Sequence, residues 1–277
     1  MPFTAPEGIV VENCMISGSD QENVRIRIYK PETYAAPVPA LLWLHGGGLI
    51  VGSPEMDDEN CFRYAHELGI VVVSVGYRLA PEHPFPAALH DSYAALAWMA
   101  SGGENLGIAP NRIAIGGASA GAGLAAALAQ YAHDKGEIQP ALQLLVYPML
   151  DDRTALRTEP DFGPFLVWNN KSNRFGWESY LGDAFGADTV PAHAVPARRK
   201  DVSGLSPAWI GVGTADIFHD EDVTYASRLE KSGVDCELVV VEGAFHGFDA
   251  FGAQIPLVQD FRRSQIAALR KYLFAER

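Results

Sequence analysis

His45-Gly46-Gly47-Gly48 stands some seventy residues ahead of Gly117-Ala118-Ser119-Ala120-Gly121. The second run fits G-x-S-x-G, which lifts a serine hydroxyl off a sharp strand-to-helix turn. The first fits a glycine loop whose backbone N–H groups face a developing oxyanion. A serine needs a base to become a nucleophile, and the base needs an acid to hold its tautomer. The chain order for this arrangement is Ser, acid, His. Asp216 closes Trp209-Ile210-Gly211-Val212-Gly213-Thr214-Ala215-Asp216, and His246 lies in Gly243-Ala244-Phe245-His246-Gly247-Phe248. His219 is the rival base, whereas His133 and His193 fall far from a strand end. Asp220, Glu221 and Asp222 follow Asp216 closely, but acids at a helix N-terminus are accounted for by the helix dipole. The oxyanion donors expected are the N–H groups of Gly46 or Gly47 and of Ala120. His45 is expected to hydrogen-bond within its own loop. Each motif alone is weak; together with an ordered acid and base they specify acyl transfer from an ester carbonyl through a serine.

These residues need strands that end where they begin. Val24 to Tyr29 alternates apolar and polar residues, as a half-buried antiparallel strand does, with Ile9 to Ile16 as its partner across a turn at residues 17–20. Residues 40–44, 70–75, 112–115, 142–147, 208–212 and 237–241 are short, branched, mostly apolar runs that suit a parallel sheet covered on both faces. Helical spacing links Leu89, Tyr93 and Leu96, then Leu124, Leu128 and Tyr131, then Ile266, Leu269 and Leu273. A helix opens at Asp220 and stops at Gly233. Strands alternating with helices give an α/β fold. Residues 151–206 fit neither pattern. They read as an excursion with one helix, Asn170 to Leu181, folded over the sheet as a cap within a single domain, 1–277.

The 277 residues are 48% hydrophobic and 20% charged, which suffices for a large core. A net charge of −13 opposes binding to nucleic acid and to anionic membranes. Cys14, Cys61 and Cys236 form no C-x-x-C, so neither a disulfide framework nor a zinc site is expected. No cofactor or metal is expected, and H-E-x-x-H is absent. The N-terminus shows no secretory pattern, and no run reaches membrane-span length, so the expected location is cytoplasmic.

The chain resembles the bacterial hormone-sensitive-lipase-like family of α/β-hydrolases. Beyond the two motifs, the resemblance rests on Gly52-Ser53, on Tyr77-Arg78-Leu79-Ala80-Pro81-Glu82 with Phe85-Pro86-Ala87-Ala88, on Tyr147-Pro148 with Asp151, and on Asp216 with Asp220-Glu221. It covers residue 20 to the end. It implies an α/β-hydrolase fold, a mostly parallel central sheet flanked by helices, and a cofactor-free carboxylesterase for short- to medium-chain esters. A homodimer through the last strand and helix follows from the resemblance alone. Arg78 and Glu82 are expected to brace loops. Ala118 stands where the family usually carries Asp or Thr. Only residues 1–8 precede the first strand, where family members often have two further cap helices. A reduced cap and a more open pocket are therefore expected, with Leu49, Phe162, Phe165, Trp168, Ile217 and Phe248 as pocket residues. A non-catalytic receptor of this fold would have replaced the base, and a peptidase would carry a large extra domain. An acyltransferase sharing the same acyl-enzyme remains open.

Overall fold

The computed structural model describes residues 5, 7–19, 22–157 and 167–275. Eight strands form one sheet: β1 Ile9–Ser17, β2 Asn23–Pro31, β3 Val38–Leu44, β4 Val71–Gly76, β5 Ile108–Ala118, β6 Gln143–Val146, β7 Ala208–Gly213 and β8 Cys236–Val241. Their order is β1-β2-β4-β3-β5-β6-β7-β8. β2 runs antiparallel to both of its neighbours, and every pairing from β4 to β8 is parallel. Burial follows from this topology. β2 alternates buried and half-exposed positions, whereas β3 and β7 are buried throughout.

Among the described residues six helices cover the sheet: α1 Asp58–Leu68, α2 Ala87–Ala100, α3 Ala120–Lys135, α4 Asn170–Leu181, α5 His219–Lys231 and α6 Pro256–Leu273. α1 and α6 share one core layer with Trp43, Trp209 and Phe261. α2, α3 and α5 share the other with Leu42, Leu44 and Ile115, and α4 joins it through Trp177 and Tyr180. α1 has no clear signature in sequence. Its buried residues, Cys61, Phe62, Tyr64, Ala65 and Leu68, are interleaved with acids and a histidine, which blurs the apolar stripe.

The chain leaves β3 for β4 on one side and returns to β5 on the other, so β3 and β5 are neighbours with oppositely directed connections. Ligands of open α/β sheets bind beyond the carboxyl ends of strands at such a reversal. Leu44 pairs with Gly117, Ala118 with Val146, Val146 with Gly211, and Gly213 with Val241. This register places the residues after β3, β5, β6, β7 and β8 along one edge. Cys14, Cys61 and Cys236 are free thiols. Among the described residues no helix is long and apolar enough to cross a membrane.

Candidate active site

β5 ends at Ala118 and α3 begins at Ala120, so Ser119 alone makes the turn, at φ 56° and ψ −121°. A non-glycine residue held there stores about 1–3 kcal/mol and persists only where its surroundings over-determine it. Ser119 N–H donates to Val146 O at 2.9 Å, and Ser119 O accepts from Gly123 N at 3.0 Å and Met149 N at 3.1 Å. The flanking glycines are needed for space. A methyl group on Gly121 would overlap the Leu44 and His45 carbonyls, and one on Gly117 would meet Leu44 O and Gly121.

His246 Nε2 lies 2.8 Å from Ser119 Oγ, and His246 Nδ1 lies 2.8 Å from Asp216 Oδ2. All three residues are buried. Asp216 Oδ1 accepts the Phe218 N–H at 3.0 Å, which fixes the carboxylate plane. The loops carrying acid and base are tied together: Ala215 N donates to Ala244 O at 3.0 Å, Thr214 N to Val241 O at 3.0 Å, and Gly243 N to Thr214 Oγ1 at 2.8 Å. The imidazole stands edge-on to Tyr147 and Phe218, with centroids 4.8 Å and 5.1 Å away. The rival His219 is half-exposed and faces Asp220 at 3.0 Å. His193 pairs with Asp134, and His133 packs beside Gly204.

The glycine loop is held peptide by peptide. His45 O accepts from Tyr77 Oη at 2.7 Å, and the two rings stack at 4.2 Å. Burial lowers the His45 pKa, leaving a neutral ring whose Nδ1–H donates to Gly46 O at 2.7 Å. Since the peptide is trans, the Gly47 N–H points away from that ring. Gly47 O accepts from Ile50 N at 3.1 Å and Val51 N at 3.0 Å, which turns the Gly48 N–H outward by the same argument. Neither N–H has a backbone acceptor among the described residues. Gly46 departs from expectation. Its amide hydrogen-bonds to the half-buried Asp57 carboxyl, which also accepts from Trp43 Nε1 at 2.8 Å. Burial nevertheless raises the Asp57 pKa to about 6. Gly46 is therefore an anchor rather than a free donor. The Ala120 N–H, in the first turn of α3, is free of any side-chain cap.

The expected pocket residues divide. Leu49 is buried at φ 65° and lines a cavity of about 10 Å³ with Ala120, Gly123, Met149, Trp177 and Tyr180. The Trp168 ring lies directly on Gly48, where any Cβ would overlap it. Ile217 is half-buried against the same core layer. Phe248 does not belong with them. Gly247 at φ 73° turns the chain, and Phe248 packs on Phe261 at 4.8 Å in the α1–α6 layer. Phe162 and Phe165 lie outside the described residues. Arg78 grips Asp91 with three nitrogen–oxygen contacts of 2.7–3.1 Å, whereas Glu82 is exposed.

Sequence reasoning missed Glu221. It is buried, not a solvated helix-terminal charge. Its Oε1 accepts Leu150 N at 2.6 Å and Asp151 N at 3.1 Å, and its Oε2 accepts the Thr154 hydroxyl. Burial raises its pKa to about 8. Asp222, also fully buried, has neither oxygen partnered, and its pKa is raised well above the carboxylate range by burial and by Glu221 and Asp216.

A protein-family profile described as alpha/beta hydrolase fold matches residues 41–250. The carboxylesterase NlhH of Mycobacterium tuberculosis is 34% identical, the match covering 99% of this chain and 86% of that protein. The ethyl acetate hydrolase of Pseudomonas putida is 31% identical over 97% of this chain and 85% of its own. Among solved structures, a bacterial heroin esterase superposes with a TM-score of 0.91 at 37% identity, covering 96% of this chain and 85% of that one.

Proposed function

Because the chain belongs to the hormone-sensitive-lipase-like α/β-hydrolases and is a carboxylic ester hydrolase, we propose that it cleaves short- to medium-chain esters through an acyl-enzyme on Ser119. The observation that carries this reading is the unbroken Ser119 Oγ–His246–Asp216 hydrogen-bond chain, 2.8 Å at each step. His246 Nε2 takes the hydroxyl proton as Oγ attacks the carbonyl carbon. The C=O electron pair becomes an oxyanion, received by the N–H groups of Gly47, Gly48 and Ala120. His246 then gives its proton to the leaving alcohol oxygen as the ester C–O bond breaks and C=O re-forms. Water repeats the sequence: it loses a proton to His246, attacks the acyl carbon, and Ser119 Oγ leaves reprotonated with the carboxylic acid. Asp216 holds Nδ1–H and stabilises the imidazolium throughout without taking the proton.

Leu49, Trp177 and Tyr180 close off the space beside Ala120, which leaves little room there for a long acyl chain. The relative named for ethyl acetate hydrolysis points the same way. Residues 151–206 act in this reading as the cap, with α4 pressing on the oxyanion loop where Gly176 approaches Gly48 O. A homodimer remains part of the proposal, paired through the open edge of β8. Hydrolysis of p-nitrophenyl esters from acetate to long chains tests the substrate class. Turnover should peak at the short end and decline as the acyl chain lengthens. A preference for long chains would overturn the chain-length assignment.

A further inference from the structure

Two pieces of backbone must be held against each other for the triad to assemble. One is residues 146–151, whose Val146 O and Met149 N grip both sides of the Ser119 backbone at 2.9 and 3.1 Å. The other is the turn from Asp216 into α5, closed by Phe218 N to Asp216 Oδ1 at 3.0 Å and His219 N to Asp216 O at 3.2 Å. Strand pairing fixes both at their roots, because Val146 pairs with Gly211. Beyond the strand ends the sheet no longer controls them.

Glu221 spans that gap. It sits in the first turn of α5, five positions after Asp216, and reaches across to residues 150, 151 and 154. One oxygen satisfies two consecutive backbone N–H groups directly after Met149. The other oxygen takes the hydroxyl of Thr154, in the short 3-10 turn Asp152–Leu156. Without Glu221 the two N–H groups would lose their acceptor, and burying a donor unpaired is costly. We propose that Glu221 is a positioning residue of the triad, tying the segment that grips Ser119 to the turn that presents Asp216. Ser119 is the residue most sensitive to such a tie, since its positive φ relaxes unless both its N–H and its carbonyl are held. Displacing a reacting group by about 1 Å costs on the order of a hundredfold in rate.

The charge of Glu221 is not what the tie uses. Burial in contact with Asp151 and beside Asp222 favours its neutral form, and Arg153 is the cation whose field reaches it. A glutamine in its place keeps an oxygen for the two N–H groups and offers an N–H to the Thr154 oxygen. The inference rests on the esterase reading, which Ser119→Ala tests by itself: wild-type turnover abolished by that change secures the reading whatever Glu221 does.

The experiment compares wild type, Glu221→Gln, Glu221→Ala and Thr154→Val with p-nitrophenyl acetate, normalised by active-site titration with a p-nitrophenyl phosphonate. Glu221→Gln should keep kcat within about threefold. Glu221→Ala should lose tenfold or more in kcat with KM changed less than twofold. Thr154→Val, which frees one end of the tie, should lose severalfold in kcat and carries the test if Glu221→Ala does not fold. A purely structural role would reduce the titratable fraction and leave kcat per titrated site unchanged. That result, or Glu221→Gln falling as far as Glu221→Ala, overturns the proposal.

Discussion

Asp216 offers His246 one oxygen at 2.8 Å and commits the other to Phe218 N–H. Asp216→Asn preserves this shape but can present an N–H to the ring, which selects the wrong tautomer. In serine hydrolases that change costs about 10⁴ in kcat. A loss of that order in kcat for p-nitrophenyl acetate is expected here, and a loss below tenfold would mean Asp216 is not the orienting acid. Glu221 gives a second outcome at this scale, read in stability. Burial raises its pKa to about 8 in the folded protein, against 4.5 for an ordinary glutamate. Between those values the folded state keeps a proton that the unfolded state has lost, so this group's contribution to stability declines as pH rises through the window. Glu221→Gln has no proton to lose. The melting temperature of the variant should therefore gain on wild type between pH 5 and pH 8, and a constant difference across that range would show that Glu221 is not buried in its neutral form.

At the scale of elements, the oxyanion loop and α4 depend on each other. Gly48 has φ 62°, and its missing side chain is the seat of the Trp168 ring. Gly48→Ala forces the backbone or the indole to move. It should lower kcat by about ten- to a hundredfold, because a loop displaced by a fraction of an ångström no longer aims its N–H groups. It should also change the near-ultraviolet circular dichroism of the tryptophans. Unchanged kcat would remove Gly48 from the oxyanion hole. The same elements show what the sequence could and could not convey. The sheet was legible because strands covered on both faces must be apolar runs, and 40–44, 70–75 and 208–212 are such runs. Ser119, Asp216 and His246 could be picked out because glycine spacing and chain order are local properties. Which amide of a glycine triplet is free depends on partners contributed by Tyr77 and Asp57, both distant from the loop in sequence. Phe248 was misplaced because a single positive-φ glycine, Gly247, decides which layer the next side chain enters. The burial of Glu221 depends on residues 150–154 folding over it, while in sequence Asp220, Glu221 and Asp222 look like ordinary charges at a helix N-terminus.

Across the whole molecule, one sheet with two unequal edges organises the site and would seat the proposed homodimer. The site lies at the carboxyl ends of the strands, and its base His246 follows β8, the edge strand, so pairing along that edge must leave the turn at residues 242–247 free. β8 presents an unpaired ladder with Val240 exposed, a template for a second copy that natural edges usually blunt with charge. Val240→Lys should shift the protein toward monomer in sedimentation velocity while keeping kcat within about twofold; an unchanged sedimentation coefficient would place any dimer elsewhere. Ester cleavage by this site requires a covalent intermediate at one residue, Ser119. The most direct test is rapid acid quench during p-nitrophenyl acetate turnover, followed by intact-mass and peptide mapping of the protein. One acetyl group should be found on the peptide carrying Ser119, absent from Ser119→Ala and accumulating in His246→Ala only at a greatly reduced rate. Turnover with no adduct, or an adduct on any other residue, would contradict the mechanism.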